Sequence, residues 1–431
     1  MFQRVVAVTA LSLMVAAGQA AADTAKGRIE HISEKAQTIQ IGIKGKDPVV
    51  VRVGPRTEFV NAGGLTDLGP PDLIKVDFEK GQPAARIEKI VFGLPEGVEI
   101  DITEMLAILQ GKRGPYFLGD ARPEARYEEG HIPSAVSAFP EEEAAFLATL
   151  PEQKDKLVVF YCGGPTCPFT GEAVELATKN GYTNLKGFQA GIPGWKKVKL
   201  PVHASPGWLS KNLDEHHVVI DARATAEASR SHIKGAVSLP AAQLARMTQQ
   251  FIATQKEAKL PGLSDKSAPI VVYADEHTSR EALIGFKHIR DWGYKNVSVL
   301  QDGLSSWVEK GYPVATGQMV STIEYTKKLA KGAIPPEEFA ALESSRKDVV
   351  FLDVRTDAEV AEKGKLKGAV HIPLDALEDK LSDLPKGKEI VTYCENGIRA
   401  QMAYELLKDR GYESRFLNET IEFDAEGDYS L

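Results

Sequence analysis

Three tandem α/β domains, each a mostly parallel sheet flanked by helices and together preceded by a small all-β module, are the fold class that the sequence predicts. The first observation behind this is a threefold repeat. Apolar runs ending in tyrosine occur at Leu157 to Tyr161, Ile270 to Tyr273 and Ile390 to Tyr393. Each is followed by a short loop, a helix-like stretch and a glycine–tyrosine pair: Gly181-Tyr182, Gly293-Tyr294 and Gly411-Tyr412. Upstream, another apolar run ends in aspartate, one residue and arginine: Asp120 with Arg122, Asp221 with Arg223, Asp353 with Arg355. Related segments then follow at Gly130 to Val136, Ser231 to Val237 and Gly364 to Val370. Several signals in one order, three times over, mark a triplicated unit. The second observation is the alternation, inside each unit, of short β-branched runs with longer amphipathic segments, which predicts βαβ connections and a parallel sheet.

The segments divide as follows. Residues 1–22 read as a secretory leader: Arg4 supplies a positive start, Val5 to Ala17 is apolar apart from Thr9 and Ser12, and small residues precede Asp23. The run is shorter than the roughly 20 apolar residues a membrane span needs. A periplasmic mature chain with no membrane insertion is therefore expected. Residues 23–97 carry β-like runs at Gly27 to Ser33, Thr38 to Ile43 and Pro48 to Val53, so an antiparallel sheet or barrel is expected. This module reads either as a docking surface for an envelope protein partner or as a cap on the first α/β domain, with docking preferred. The three α/β domains span 98–205, 206–320 and 321–431. Ala315 to Gln318 reads as a linker, and Pro335-Pro336-Glu337-Glu338 as a helix start.

Composition bounds the function. An apolar fraction of 43%, a charged fraction of 26% and a net charge of −8 describe a globular chain without the basic stripe of a nucleic-acid binder. Three cysteines are too few for a disulfide scaffold. His216-His217 has no companion at metal-ligand spacing, so neither a metal nor another cofactor is expected.

The chemistry concentrates in the loop after each tyrosine. In the third domain it reads Cys394-Glu395-Asn396-Gly397-Ile398-Arg399, between a strand end and a helix start. Open α/β sheets place ligands there, and the free N–H groups of a helix start favour an anion such as a thiolate or persulfide. With Asp353-x-Arg355 and the segment ending at Pro373, this loop resembles the rhodanese-like sulfurtransferases, across about three quarters of the chain. The resemblance implies that Cys394 takes a sulfane sulfur as a persulfide and passes it from a small sulfur-containing donor to a thiol acceptor. Glu395 to Ala400 would cradle the outer sulfur and Arg399 would stabilise charge.

The first domain offers Cys162-Gly163-Gly164-Pro165-Thr166-Cys167, with Cys162 in the place of Cys394 and Cys167 in that of Arg399. Cys162 is the second candidate nucleophile, in a loop without a cation. The Cys162–Cys167 pair is also a candidate reversible disulfide. The second domain has Ala274 where the cysteine belongs and is expected to carry no sulfur. Related phosphatase folds place five residues between cysteine and arginine, whereas Cys394 and Arg399 have four between them, so sulfur fits better than phosphate.

Electrostatic activation is not the main service of such a loop. Lowering a thiol pKa from about 8.5 to roughly 6.5 raises the thiolate fraction ~25-fold at pH 7. The accompanying fall in nucleophilicity returns about eightfold, leaving ~threefold. Holding the persulfide should matter more. The rival class is a non-catalytic envelope scaffold built from tandem domains. The Asp–Arg pairs are expected to brace the fold, Trp195 and Trp307 to pack in cores, and His131 and His232 to be helix-start or surface residues.

Overall fold

The computed structural model describes residues 23–43, 48–70, 72–79, 81–345, 348–423 and 428–431. The leader expected at residues 1–22 lies outside them. The chain forms two compact units, Met1–Ile90 with Lys331–Leu431, and Val91–Ala330.

The first unit joins the β module to the third α/β domain. Its six-stranded sheet runs in the order Val49–Arg52, Thr38–Gly42, Asp23–Ser33, Leu73–Phe78, Arg86–Lys89 and Glu58–Val60. All neighbours are antiparallel except the last pair, which is parallel. Ala25 and Ile29 alternate with exposed residues along the first strand and join Ile39, Ile41, Ile74, Val76 and Ile87 in one core. Period-two burial of this kind is what a half-covered strand dictates.

The other covering of the sheet is polar. Gln40 meets Glu405 on the helix Ile398–Asp409. The His31 ring lies 3.6 Å from Glu405, and Arg52 donates to Asp375 at 2.8 Å. Strand pattern alone names no partner for this face; within this unit the module packs on the third α/β domain.

The third domain's sheet is parallel throughout, in the order Ala333–Ile334, Ser414–Leu417, Glu389–Tyr393, Val349–Asp353 and Val370–His371. Pro336 opens the helix Pro336–Ser345, whose Phe339 is buried against Phe351 and Tyr393.

The second unit holds the first two α/β domains. One sheet is ordered Leu185–Phe188, Leu157–Tyr161, Tyr116–Asp120, Val136–Ser137; the other His203–Ala204, Val297–Leu300, Ile270–Tyr273, Val218–Asp221, Val237–Ser238. All pairings in both are parallel. Leu157–Tyr161 and Ile270–Tyr273 are buried at every position, as strands covered on both faces must be.

The unit Val91–Ala330 opens on a segment tied to the first domain: Phe92 donates its amide to Pro165 at 3.0 Å and accepts from Gln189 at 2.6 Å. Residues 315–318, read as a linker, are held in place: Val314–Ala315 pairs with His232–Ile233, and Gly317 donates to Ser229 at 2.8 Å. Ile323 is still part of the second domain's core.

The repeated aspartate, arginine and tyrosine form one device used three times. Arg122 binds Asp120 through two nitrogens and reaches the Gly130 carbonyl at 2.6 Å. The Tyr161 hydroxyl donates to Asp120 at 2.7 Å and accepts from the Ile132 amide at 3.0 Å. Arg223 with Ser231, and Arg355 with Gly364, repeat the arginine contact at 2.6 and 2.7 Å. Tyr273 and Tyr393 repeat the tyrosine contact to Ile233 and Leu366. Burying so many polar groups is tolerable because each finds a partner.

Candidate active site

Strand Glu389–Tyr393 ends at Cys394, and helix Ile398–Asp409 begins four residues later. The turn between them needs Gly397, which sits at φ 84°; a side chain there would also approach Asn418 to 2.7 Å. Cys394 is fully buried, with its sulfur 3.9 Å from Asn396 Oδ1, and that oxygen also accepts the Ile398 amide at 3.3 Å. Among the described residues, no carbonyl or side chain accepts the amides of Glu395, Asn396, Gly397, Arg399 or Ala400. Together with the helix start they are a run of unengaged donors in the loop that follows Cys394.

Arg399 is only 2% exposed, and its charge is already engaged. Its two terminal nitrogens bind Glu359 at 2.6 and 2.8 Å. Burial works against the guanidinium charge, but the bonds to Glu359 outweigh it and raise its pKa above the ordinary value. Burial alone would raise the Glu359 carboxyl; bonds from Arg399 and Thr356 outweigh it and hold that carboxyl well below the usual range. Glu359 also closes a capping box with Thr356 at the start of helix Asp357–Lys363. Sequence reasoning missed Glu359, whose only local signal was its position three residues after a threonine.

It also missed Lys35. This lysine, in the turn between two strands of the β module, lies 2.6 Å from Glu395 and 3.3 Å from Glu359. The three side chains border a shallow depression that Glu362, Lys363 and Glu422 also line.

The first domain builds the same turn differently. Cys162 follows Leu157–Tyr161 and is packed in an apolar cluster with Cys167, Phe160 and Ala173. Its sulfur faces the Cys167 carbonyl at 3.5 Å and the Gly164 carbonyl at 3.9 Å. Burial, and then contact with the Cys167 side chain, push the Cys162 thiol far up; Thr170 opposes this without reversing it. The two cysteines are thiols rather than a disulfide. Gly163 packs against Cys167, Gly164 adopts φ 111° and accepts the Cys167 amide at 2.9 Å, and Thr166 is buried. Pro165 accepts from Phe92. Gly191 lies tight against this loop: a Cβ there would come within 2.2 Å of the Cys162 carbonyl.

In the second domain Ala274 stands buried in the cysteine position, and Asp275 turns back to Arg223 at 2.9 Å. His131 and His232 are not surface residues. Both are buried, and each ring Nδ1 lies 2.9 Å from a carbonyl four residues earlier, that of Tyr127 or Ala228. Trp195 and Trp307 are buried as expected and donate to Pro201 and Pro313.

The family described as "Rhodanese-like domain" matches residues 102–198, 205–310 and 335–422. This chain belongs to the rhodanese-like domain family. Its three members coincide with the three parallel sheets. A sulfurtransferase of Allochromatium vinosum is 33% identical over 85 residues, 20% of this chain and 78% of that protein. A tRNA uridine(34) hydroxylase of Cytophaga hutchinsonii is 38% identical over 96 residues, 21% of this chain and 30% of the hydroxylase. Only the first of these relatives is matched over most of its own length. A solved thiosulfate sulfurtransferase of Pseudomonas aeruginosa is 18% identical with a TM-score of 0.22, covering 77% of this chain and 69% of that one, a likeness that carries no argument.

Proposed function

We propose that this protein moves sulfane sulfur through a persulfide on Cys394, from a small anionic donor to a thiol acceptor. The three rhodanese-like domains and the curated sulfurtransferase matched over 78% of its length make the chain a rhodanese-type sulfurtransferase. The observation that supports Cys394 as the carrier is the set of amides around its loop that serve no protein acceptor. Such donors stabilise charge without reorganising when it appears.

With thiosulfate as donor, the Cys394 thiolate attacks the outer sulfur. The new S–S bond forms as the donor's S–S bond breaks, and the electron pair leaves on sulfite. An acceptor thiolate then attacks the outer sulfur of the persulfide, and the pair of the broken bond returns to Cys394. Cys162 is the second candidate carrier, slowed by a thiol that resists ionisation. The second domain, with Ala274, serves binding or structure. We further propose that the chain works in the periplasm, on the strength of the leader-like residues 1–22. Among the described residues no helix is long and apolar enough to cross a membrane.

The test is to expose the purified protein to thiosulfate or polysulfide and weigh it intact. Gain of one sulfur that disappears in Cys394→Ala supports the reading. Absence of any gain with every donor leaves the envelope scaffold in its place. Mass analysis of protein from the cell envelope, starting at Asp23, tests export.

A further inference from the structure

The depression next to Glu395, the residue that follows Cys394, has four carboxylates in its lining and few cations to spare. Glu359, Glu362, Glu395 and Glu422 all line the depression beside the loop. Arg399 is spent on Glu359, and the neighbouring Arg355 is spent on Asp353 through contacts of 2.6 to 3.1 Å. Both guanidiniums are buried. An incoming sulfur dianion therefore meets a negative rim, while the loop's own cation is held by another residue. Lys35 changes this. It comes from the β module, not from the rhodanese fold, and its side chain is 47% exposed. Its ammonium touches both Glu395, the residue next to the nucleophile, and Glu359, the residue that fixes Arg399. Exposed pairs of this kind exchange readily with ions from solution.

We propose that Lys35 is the donor-binding cation of the Cys394 site, so that the β module is the specificity element of the third rhodanese domain. A small sulfur dianion of the thiosulfate type replaces the Glu395 carboxylate at the Lys35 ammonium and is thereby held at the mouth of the loop. The proposal rests on Cys394 as the sulfur carrier. It gives the module a task that its sequence never advertised. It also accounts for a sheet whose polar face is set against the helix that begins at the loop.

The experiment measures thiosulfate-dependent sulfur transfer, with persulfide on Cys394 followed by intact mass, in the full chain and in Lys35→Ala, Lys35→Arg, Lys363→Ala and the double variant Lys35→Ala/Glu395→Gln. Lys35→Ala is expected to raise KM for thiosulfate about tenfold, the loss of one charged contact, with kcat within about twofold. Lys35→Arg should restore KM. Added salt should raise KM in the parent and much less in Lys35→Ala. Lys363→Ala, which removes a charge from the same rim, should have the smaller effect. The double variant should stay impaired, because neutralising Glu395 does not replace a donor-binding ammonium. Recovery of normal KM in the double variant overturns the proposal, as does equality of Lys35→Ala with the parent or with Lys363→Ala. A parent protein that loads no sulfur on Cys394 overturns the persulfide reading itself, and this proposal with it.

Discussion

Glu359→Gln is the substitution that most directly probes how the site is held. It keeps the size of the side chain and one acceptor oxygen but removes the countercharge from Arg399, which has 2% exposure. The structure offers no other carboxylate bonded to that guanidinium among the described residues. Removing one partner of a buried pair leaves an uncompensated charge and costs about 3–5 kcal/mol. That is a large part of the ~5–15 kcal/mol by which a typical domain is stable.

All four tryptophans, at 195, 208, 292 and 307, lie in the unit Val91–Ala330, so their fluorescence is silent about this change. Cys394 is the one cysteine of the other unit and is fully buried, so its labelling by a maleimide across a urea series, read by peptide mass, reports the right event. The labelling midpoint should fall sharply. The pH dependence has a definite sign. The Glu359 carboxyl is depressed in the fold, so its contribution is present above the unfolded value of about 4.3 and is lost as pH falls through the folded value. The difference between parent and variant should therefore shrink in acid. A variant within about 1 kcal/mol of the parent at pH 7 would refute the account of Arg399 as a charge held by Glu359.

Three further outcomes are expected. In a Cys394→Ser background, persulfide formation on Cys162 should be slow at pH 7 and rise steeply toward pH 9, because its thiol is pushed far up; a flat profile by intact mass counts against this. Tyr161→Phe strands the buried Ile132 amide and should lower stability by about 1–3 kcal/mol, measured by urea unfolding with tryptophan fluorescence. His203 is buried between His131 and His277, and burial first, then those two rings, lower its pKa to about 3. It stays neutral in the fold while the unfolded chain takes up a proton below about 6.5, so its contribution is whole above that pH and about 2 kcal/mol is lost between pH 7 and pH 5. His203→Phe should flatten that slope in acid unfolding curves, and an unchanged slope would show that other groups cause it.

What was legible in the sequence was local. Tyr161, Tyr273 and Tyr393 marked three strand ends because the hydroxyl, the aspartate and the arginine of each brace recur at similar spacing. Gly397 stands in the loop after Cys394, and its φ of 84° is a conformation that suits glycine. What was hidden was non-local. Arg399 read as an available charge because its partner, Glu359, lies 40 residues earlier. Lys35 and Glu395 are 360 residues apart, and nothing in a lysine within a strand turn announces such a contact. His131 and His232 were misplaced because a polar residue beside glycine or serine resembles a surface turn, whereas each buried ring donates its Nδ1 proton to a backbone carbonyl. The region around 315–318 looked like a linker by composition, but its backbone pairs with a strand more than 80 residues upstream.

The division of one compact body between the two ends of the chain has a consequence for synthesis. The sheet that ends at Lys89 emerges from the ribosome ~300 residues before the helix Ile398–Asp409 that covers it, a wait of roughly 15–60 s at about 5–20 residues per second. An oily surface left bare for that long would invite aggregation. Here the waiting surface presents His31, Lys35, Gln40 and Arg52, side chains that water serves nearly as well as their eventual partners do. A nascent chain halted before Lys331 should therefore remain in solution with its first sheet already made.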